Sequence, residues 1–282
     1  MRKLLALLAL NTFVTFSAGA TETVRFSIFK TGTATVPLAF TPQGGNLFKS
    51  TQFNYGAFII QHGDDYILID AGMGTRARAE FRADMPRYMR PLTKVKNINP
   101  IIKQLPAEIS QKIKTIYLTH THWDHLSGAQ DFPGACAAIA PEEKNELKHV
   151  WPSQTKNLEW CPWQWSDQEY LGFKKSLDVF GDQSVVIVPL PGHTDGSIGV
   201  LIETNHDRYF LVGDLTWNAK AMSQGKQIPR VMRWLTRIDG KQTRKTMAKV
   251  RRIKRENPDL QIIPSHDLSI HRRLGFYPKW IE

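Results

Sequence analysis

With 282 residues the chain is too long for a minimal fold and of ordinary size for one large α/β domain. Its 37 Lys and Arg outnumber 26 Asp and Glu, and the net +11 can attract anionic lipid, nucleic acid or acidic substrates.

Residues 1–20 read as an export signal. Arg2 and Lys3 form a positive start, residues 4–16 a mostly apolar run, and Ala18-Gly19-Ala20 a small-residue cleavage pattern. The run falls short of the roughly 18 to 20 apolar residues that span a bilayer. Cleavage after Ala20 leaves residues 21–282 as one domain without a transmembrane segment, expected in a periplasm or outside the cell. Losing Arg2 and Lys3 lowers the charge from +11 to +9.

Further along, residues 58–60 and 66–69 predict a hairpin turning through His62-Gly63-Asp64-Asp65. Residues 68–74, L-I-D-A-G-M-G, end the second strand in a glycine-bearing loop. Residues 76–112 are charged and helix-compatible, with Pro86, Pro91, Pro100 and Pro106 marking breaks or helix starts. Short strands are predicted over 113–118, 184–190, 198–202, 209–212 and 260–263. The cationic stretch from Arg230 to Arg255 predicts the solvated face of a surface helix. Cys136 and Cys161 lie outside any C-x-x-C pattern and away from the histidine clusters, against a metal role; in an oxidising compartment they pair if their Cα atoms come within about 7 Å, which the sequence leaves open.

Four of these strands run into groups of metal-ligand type. After the 113–118 strand comes Thr119-His120-Thr121-His122-Trp123-Asp124-His125. His193 follows in P-G-H-T-D-G-S, Asp214 in V-G-D and His266 in P-S-H-D. Loops at strand ends are where α/β proteins gather their sites. Imidazoles two apart in an extended loop can share one ion, and nitrogen and oxygen donors in this pattern suit zinc. One divalent ion can take His120, His122 and His193, a second Asp124, His125 and His266, with Asp214 bridging. Two ions about 3.5 to 4 Å apart polarise a carbonyl or phosphoryl oxygen and lower the pKa of bound water toward about 7.

In these motifs the chain resembles the metallo-β-lactamase superfamily over essentially all of residues 21–282. The resemblance implies an αββα four-layer sandwich with a metal site along one edge. Within the superfamily, Asp214 makes the chain similar to the N-acyl homoserine lactone lactonases and glyoxalase II-like thioesterases, which carry a bridging aspartate that the β-lactamases proper generally lack. Only 16 residues follow His266, against the C-terminal helical domain usual in glyoxalase II. One departure stands out: lactonases of that branch typically place a tyrosine three residues after the bridging aspartate, where this chain has Trp217.

The implied activity is a metal-dependent, lactonase-like hydrolase with two divalent ions, zinc expected, acting on a small-molecule lactone or related ester. Metal-bound hydroxide would attack the carbonyl, and Asp124 would deliver a proton to the leaving oxygen. Trp123 and Trp217 are the candidate substrate contacts, Trp217 equally readable as a packing residue. Asp70 either hydrogen-bonds a ligand histidine or caps its loop, with Asp195 and Asp267 weaker candidates of the same kind. His62, His149, His206 and His271 read as surface or hydrogen-bonded histidines. A secreted β-lactamase and a phosphoester hydrolase are the alternatives. Nucleic acid is not the expected partner, and the composition carries no sign of an oligomeric state.

Overall fold

The computed structural model describes residues 23–42, 44–87, 90 and 95–282. The signal assigned to residues 1–20, and with it the cleavage site, lies outside the described residues.

Seven strands form the first sheet: β1 (Val24–Pro37), β2 (Ser50–His62), β3 (Asp65–Ile69), β4 (Val95–Lys96), β5 (Thr115–Tyr117), β6 (Cys136–Ile139) and β7 (Trp160–Pro162), in the order β4-β1-β2-β3-β5-β6-β7. Five form the second: β8 (Leu177–Asp178), β9 (Val185–Pro189), β10 (Ile198–Glu203), β11 (Arg208–Leu211) and β12 (Gln261–Ile263), in the order β12-β11-β10-β9-β8. The expected hairpin is present as β2 and β3, which pair antiparallel with Phe58 opposite Ile69, and Gly63 at φ 53° makes the turn. From β3 onward, β5, β6 and β7 add in parallel.

The helices are α1 (Ala77–Asp84), α2 (Ala107–Ser110), α3 (Trp123–Leu126), α4 (Pro152–Thr155), α5 (Ala219–Gln224), α6 (Arg230–Leu235), α7 (Gly240–Glu256) and α8 (Leu268–Leu274). Residues 76–112 are less helical than their composition suggested. They hold α1, the one-turn α2 and a 3-10 turn at Ile101–Lys103, and Val95–Lys96 pairs as an edge strand with β1. Pro100 and Pro106 stand immediately before the two short turns, where a missing N–H costs nothing.

Side chains alternate across each sheet and so separate the layers. Phe26, Ile28, Phe58, Ile60, Ile67 and Ile69 of the first sheet meet Ile187, Val200, Ile202, Leu211 and Ile263 of the second in one buried cluster. The opposite face of the first sheet, with Phe29, Ile59, Leu68 and Ile116, packs on Leu105, Leu126 and Phe132. Val186, Val188, Leu201 and Phe210 on the outer face of the second sheet pack on Met247, Val250 and Ile253 of α7. These are the four layers of the αββα sandwich.

Helix α7 is started by Asp239, whose carboxylate accepts from the Lys241 and Gln242 backbone N–H groups at 2.8 and 3.0 Å. Thr243, Thr246, Met247, Val250 and Ile253 form its buried stripe. Burying each of the three apolar members contributes about 1.5–3 kcal/mol. Lys241, Arg244, Lys245, Arg252 and Arg255 are exposed, as expected for a solvated face. Cys136 of β6 and Cys161 of β7 are joined in a disulfide, Cα to Cα 5.6 Å. Among the described residues, no helix is long and apolar enough to cross a membrane.

Candidate metal centre

Asp70 follows β3, the segment 119–125 follows β5, His193 lies between β9 and β10, Asp214 follows β11 and His266 follows β12. The strand-end loops bring all seven predicted donors together at one edge of the sandwich. His120 Nε2 and His193 Nε2 each lie 2.9 Å from His122 Nδ1. Asp124 Oδ2 lies 3.5 Å from His266 Nε2 and 3.8 Å from His125 Nε2. Asp214 stands between the two groups, its Oδ2 3.6 Å from His193 Nε2 and its Oδ1 3.0 Å from His266 Nε2 and 3.5 Å from His125 Nε2.

Three triads therefore have the spacing of a metal site: His120/His122/His193, Asp124/His125/His266, and His120/His125/Asp214 across the middle. The donors fit divalent cations on two further counts. Imidazole nitrogens turned on one another within 2.9 Å place lone pairs together, an arrangement a shared cation relieves. His125 Nε2 and Asp214 Oδ1 are buried and face each other at 3.5 Å, too far for a hydrogen bond of ordinary length, which leaves room for an ion to bind both.

The remote ring nitrogens are fixed by the protein. His125 Nδ1 donates to Asp70 Oδ2 at 2.8 Å, and His266 Nδ1 donates to the Asn54 carbonyl at 2.8 Å. His120 Nδ1 lies 3.1 Å from Thr119 Oγ1, which itself donates to Asp70 Oδ2 at 2.9 Å. Each contact turns Nε2 into the site. Asp70 thus contacts a ligand histidine directly. It is fully buried and adopts φ 61°, a strained conformation for a non-glycine residue that costs on the order of 1 kcal/mol or more. Backbone donation from Thr119 N to its Oδ1 at 2.7 Å holds it there.

Asp195 and Asp267 do not act this way. Asp195 is exposed, and Asp267 caps α8 by accepting from the Ser269 and Ile270 N–H groups.

Charge divides the donors. Burial, with His125, His122 and His193 nearby, holds His120 well below the ordinary imidazole range. Burial also lowers His122, and takes His193 to about 3. For His125 burial is outweighed by Asp70, Asp124 and Asp214, which push it well above its usual value. His266 is raised in the same way by Asp214 and Asp124. Burial of Asp214 is outweighed by His266 and His125, so its carboxyl stays well below the usual range.

Aromatic rings surround the donors. Trp123 stacks on Trp151 with centroids 5.2 Å apart, and Tyr55 and Phe81 meet its edges. Trp217 packs edge-on against Phe53 and donates its indole N–H to Asp214 Oδ2 at 3.1 Å. Its one donor is therefore committed to the shared aspartate, leaving only its ring to border the site. Of the histidines outside the motifs, His271 is fully buried beneath β2, bonded to Asn54 Nδ2 at 2.9 Å and the Pro264 carbonyl at 3.1 Å. Sequence reading passed over Tyr55, Trp151 and Glu143, which stand outside the ligand motifs.

A model of the metallo-beta-lactamase superfamily matches residues 53–266. A probable metallo-hydrolase of Mycobacterium tuberculosis is 27% identical over 238 residues, covering 76% of this chain and 74% of the relative. A solved N-acyl homoserine lactone hydrolase, with N-hexanoyl-L-homoserine bound at its catalytic metal centre, overlays with a TM-score of 0.75 at 14% identity, covering 92% of this chain and 100% of that one. A dizinc quorum-quenching lactonase overlays at 0.61 and 15% identity, covering 88% and 89%. The matched segment spans every donor from His120 to His266, and on that ground the chain belongs to the metallo-beta-lactamase superfamily.

Proposed function

We propose that this protein is an exported hydrolase dependent on two divalent ions, zinc foremost, that opens a lactone or cleaves a related ester. The observation that carries the reading is the pair of triads meeting at Asp214, whose two carboxylate oxygens face His193 on one side and His125 and His266 on the other. His120, His122 and His193 would hold one ion and Asp124, His125 and His266 the other. Bound there, the ions supply an activated water and an electrophile for the carbonyl. The solved neighbour that carries N-hexanoyl-L-homoserine supports a small acylated lactone as the substrate class.

The chain's own residues do the rest. Asp70 and the Asn54 carbonyl orient His125 and His266, and Trp217 holds Asp214 through Oδ2. Trp123, backed by Trp151, offers an apolar wall for an acyl group, and the Trp217 ring packs beside His266. The Asp124 carboxylate would take the proton released by the attacking water and pass it to the leaving alkoxide. The disulfide and the N-terminal pattern of residues 1–20 support export.

Phosphoester cleavage is the second reading, favoured by a groove of about 1250 Å³ that Lys174, Lys175, Lys245, Lys249 and Arg252 help line. A hydrolysis panel with metal-reconstituted protein tests both. Turnover of lactones ahead of β-lactams, thioesters and phosphoesters is the expected result, and preference for a phosphoester would reverse the assignment. Cell fractionation with N-terminal sequencing tests export, the expected product starting at Thr21.

A further inference from the structure

Glu143 is fully buried, stands outside the seven donors and has no part in the chemistry above. It lies in the 3-10 segment Pro141–His149 that follows β6. A buried carboxylate is costly unless its oxygens are filled, and here both are. Oε1 accepts from Thr121 N at 2.7 Å and from Thr121 Oγ1 at 2.8 Å. Oε2 accepts from Thr194 Oγ1 at 2.6 Å and from Gly196 N at 3.2 Å.

The donors' positions give these bonds their meaning. Thr121 stands between His120 and His122, and Thr194 follows His193. One carboxylate thus joins the two loops that carry the three histidines, one oxygen to each loop. The contact is tight, since a Cβ on Gly196 would fall 2.2 Å from the Glu143 backbone N. Among the described hydrogen bonds, Glu143 makes none to Asp124, His125 or His266, whose outer partners are Asp70 and the Asn54 carbonyl.

We propose that Glu143 is a positioning residue for the three-histidine group: it sets the place of His193 relative to His120 and His122, and so governs metal affinity there and not in the Asp124/His125/His266 group. This rests on the reading of the two groups as metal sites. In Glu143→Gln one oxygen becomes an NH2 group facing a backbone N–H that it cannot satisfy, so one of the two loops is released.

The test uses the full chain and cobalt(II) or zinc, titrated against a chromophoric chelator in two backgrounds. His125→Ala leaves the three-histidine group as the intact site, and His193→Ala leaves the other. Adding Glu143→Gln should weaken metal binding about 10–100-fold in the first background and less than about threefold in the second, the range expected for an outer partner of a ligand. Equal weakening in both, or none in either, overturns the inference, because a general loss of stability would not choose between sites. Should Glu143→Gln not fold, Thr194→Val removes one bond to the same carboxylate and should weaken the same background selectively. A wild-type chain that binds no ion would overturn the metal-site reading and this inference with it. Two ions in the wild type with unselective variants would overturn this inference alone.

Discussion

The two candidate donor groups sit side by side, with Asp214 between them, yet their electrostatics run in opposite directions. His120, His122 and His193 face mainly one another, and their pKa values fall. His125 and His266 face Asp124, Asp214 and, for His125, Asp70, and theirs rise. The neutral group is ready to receive a cation without releasing protons, whereas the carboxylate-rich group holds protons that a metal must displace. Neighbours a few ångströms away decide this, since the residue type is the same.

Asp214→Ala should break both groups together, because Oδ1 and Oδ2 reach different sides. Turnover on the best substrate should fall by about 100-fold or more and metal content should drop, beyond the 10–100-fold typical of an outer partner. Full metal content with near-normal turnover, measured by elemental analysis and steady-state kinetics, would break the bridge assignment.

Asp70→Asn should separate the groups, weakening the ion at Asp124, His125 and His266 about 10-fold or more, because His125 loses its charged partner. Losing the ion at His120, His122 and His193 first would reverse the comparison.

Acid acts on the stability of the fold and not on one group of donors. Burial takes His271 to about 4, below its unfolded value of about 6.5. The unfolded chain therefore binds a proton that the folded chain does not. Stability from this residue is fully present above about pH 6.5 and is lost as pH falls toward 4, about 3 kcal/mol in all. Urea unfolding of the metal-free protein should give midpoints that rise with pH across that window, and a flat profile would count against a neutral buried His271.

Cys136→Ser gives a control of similar size. It should cost about 2–4 kcal/mol of stability and leave both metal affinities unchanged, since neither cysteine is among the donors. A change in metal content would show that the sheet edge at β6 and β7 supports the site.

That the seven candidate donors come together was legible because each is local: H-x-H-x-D-H, His193, Asp214 and His266 all follow a strand whose pattern survives in a few residues. What stayed hidden was long-range. Asp70 meets His125 across 55 positions and Glu143 meets Thr194 across 51, and no spacing rule pairs such residues. The aromatic wall was half legible, with Trp123 marked by its neighbours and Trp151 and Tyr55 unmarked. The described residues of 76–112 are less helical than their composition predicts, because charged composition does not report the pairing of Val95–Lys96 with β1. The sequence offers Trp217 as a substrate contact or a packing residue and gives no sign that its N–H goes to Asp214.

The reach of His266 back to the Asn54 carbonyl joins positions 212 residues apart. A contact of that span closes a very long loop, which places it among the slowest to form. The carboxylate-rich group is then assembled late, after most of the sandwich has condensed. An ion that binds only the finished arrangement stabilises the native state and not the transition state. Metal should therefore act as a brake on unfolding, lengthening the native lifetime while leaving the folding rate almost unchanged.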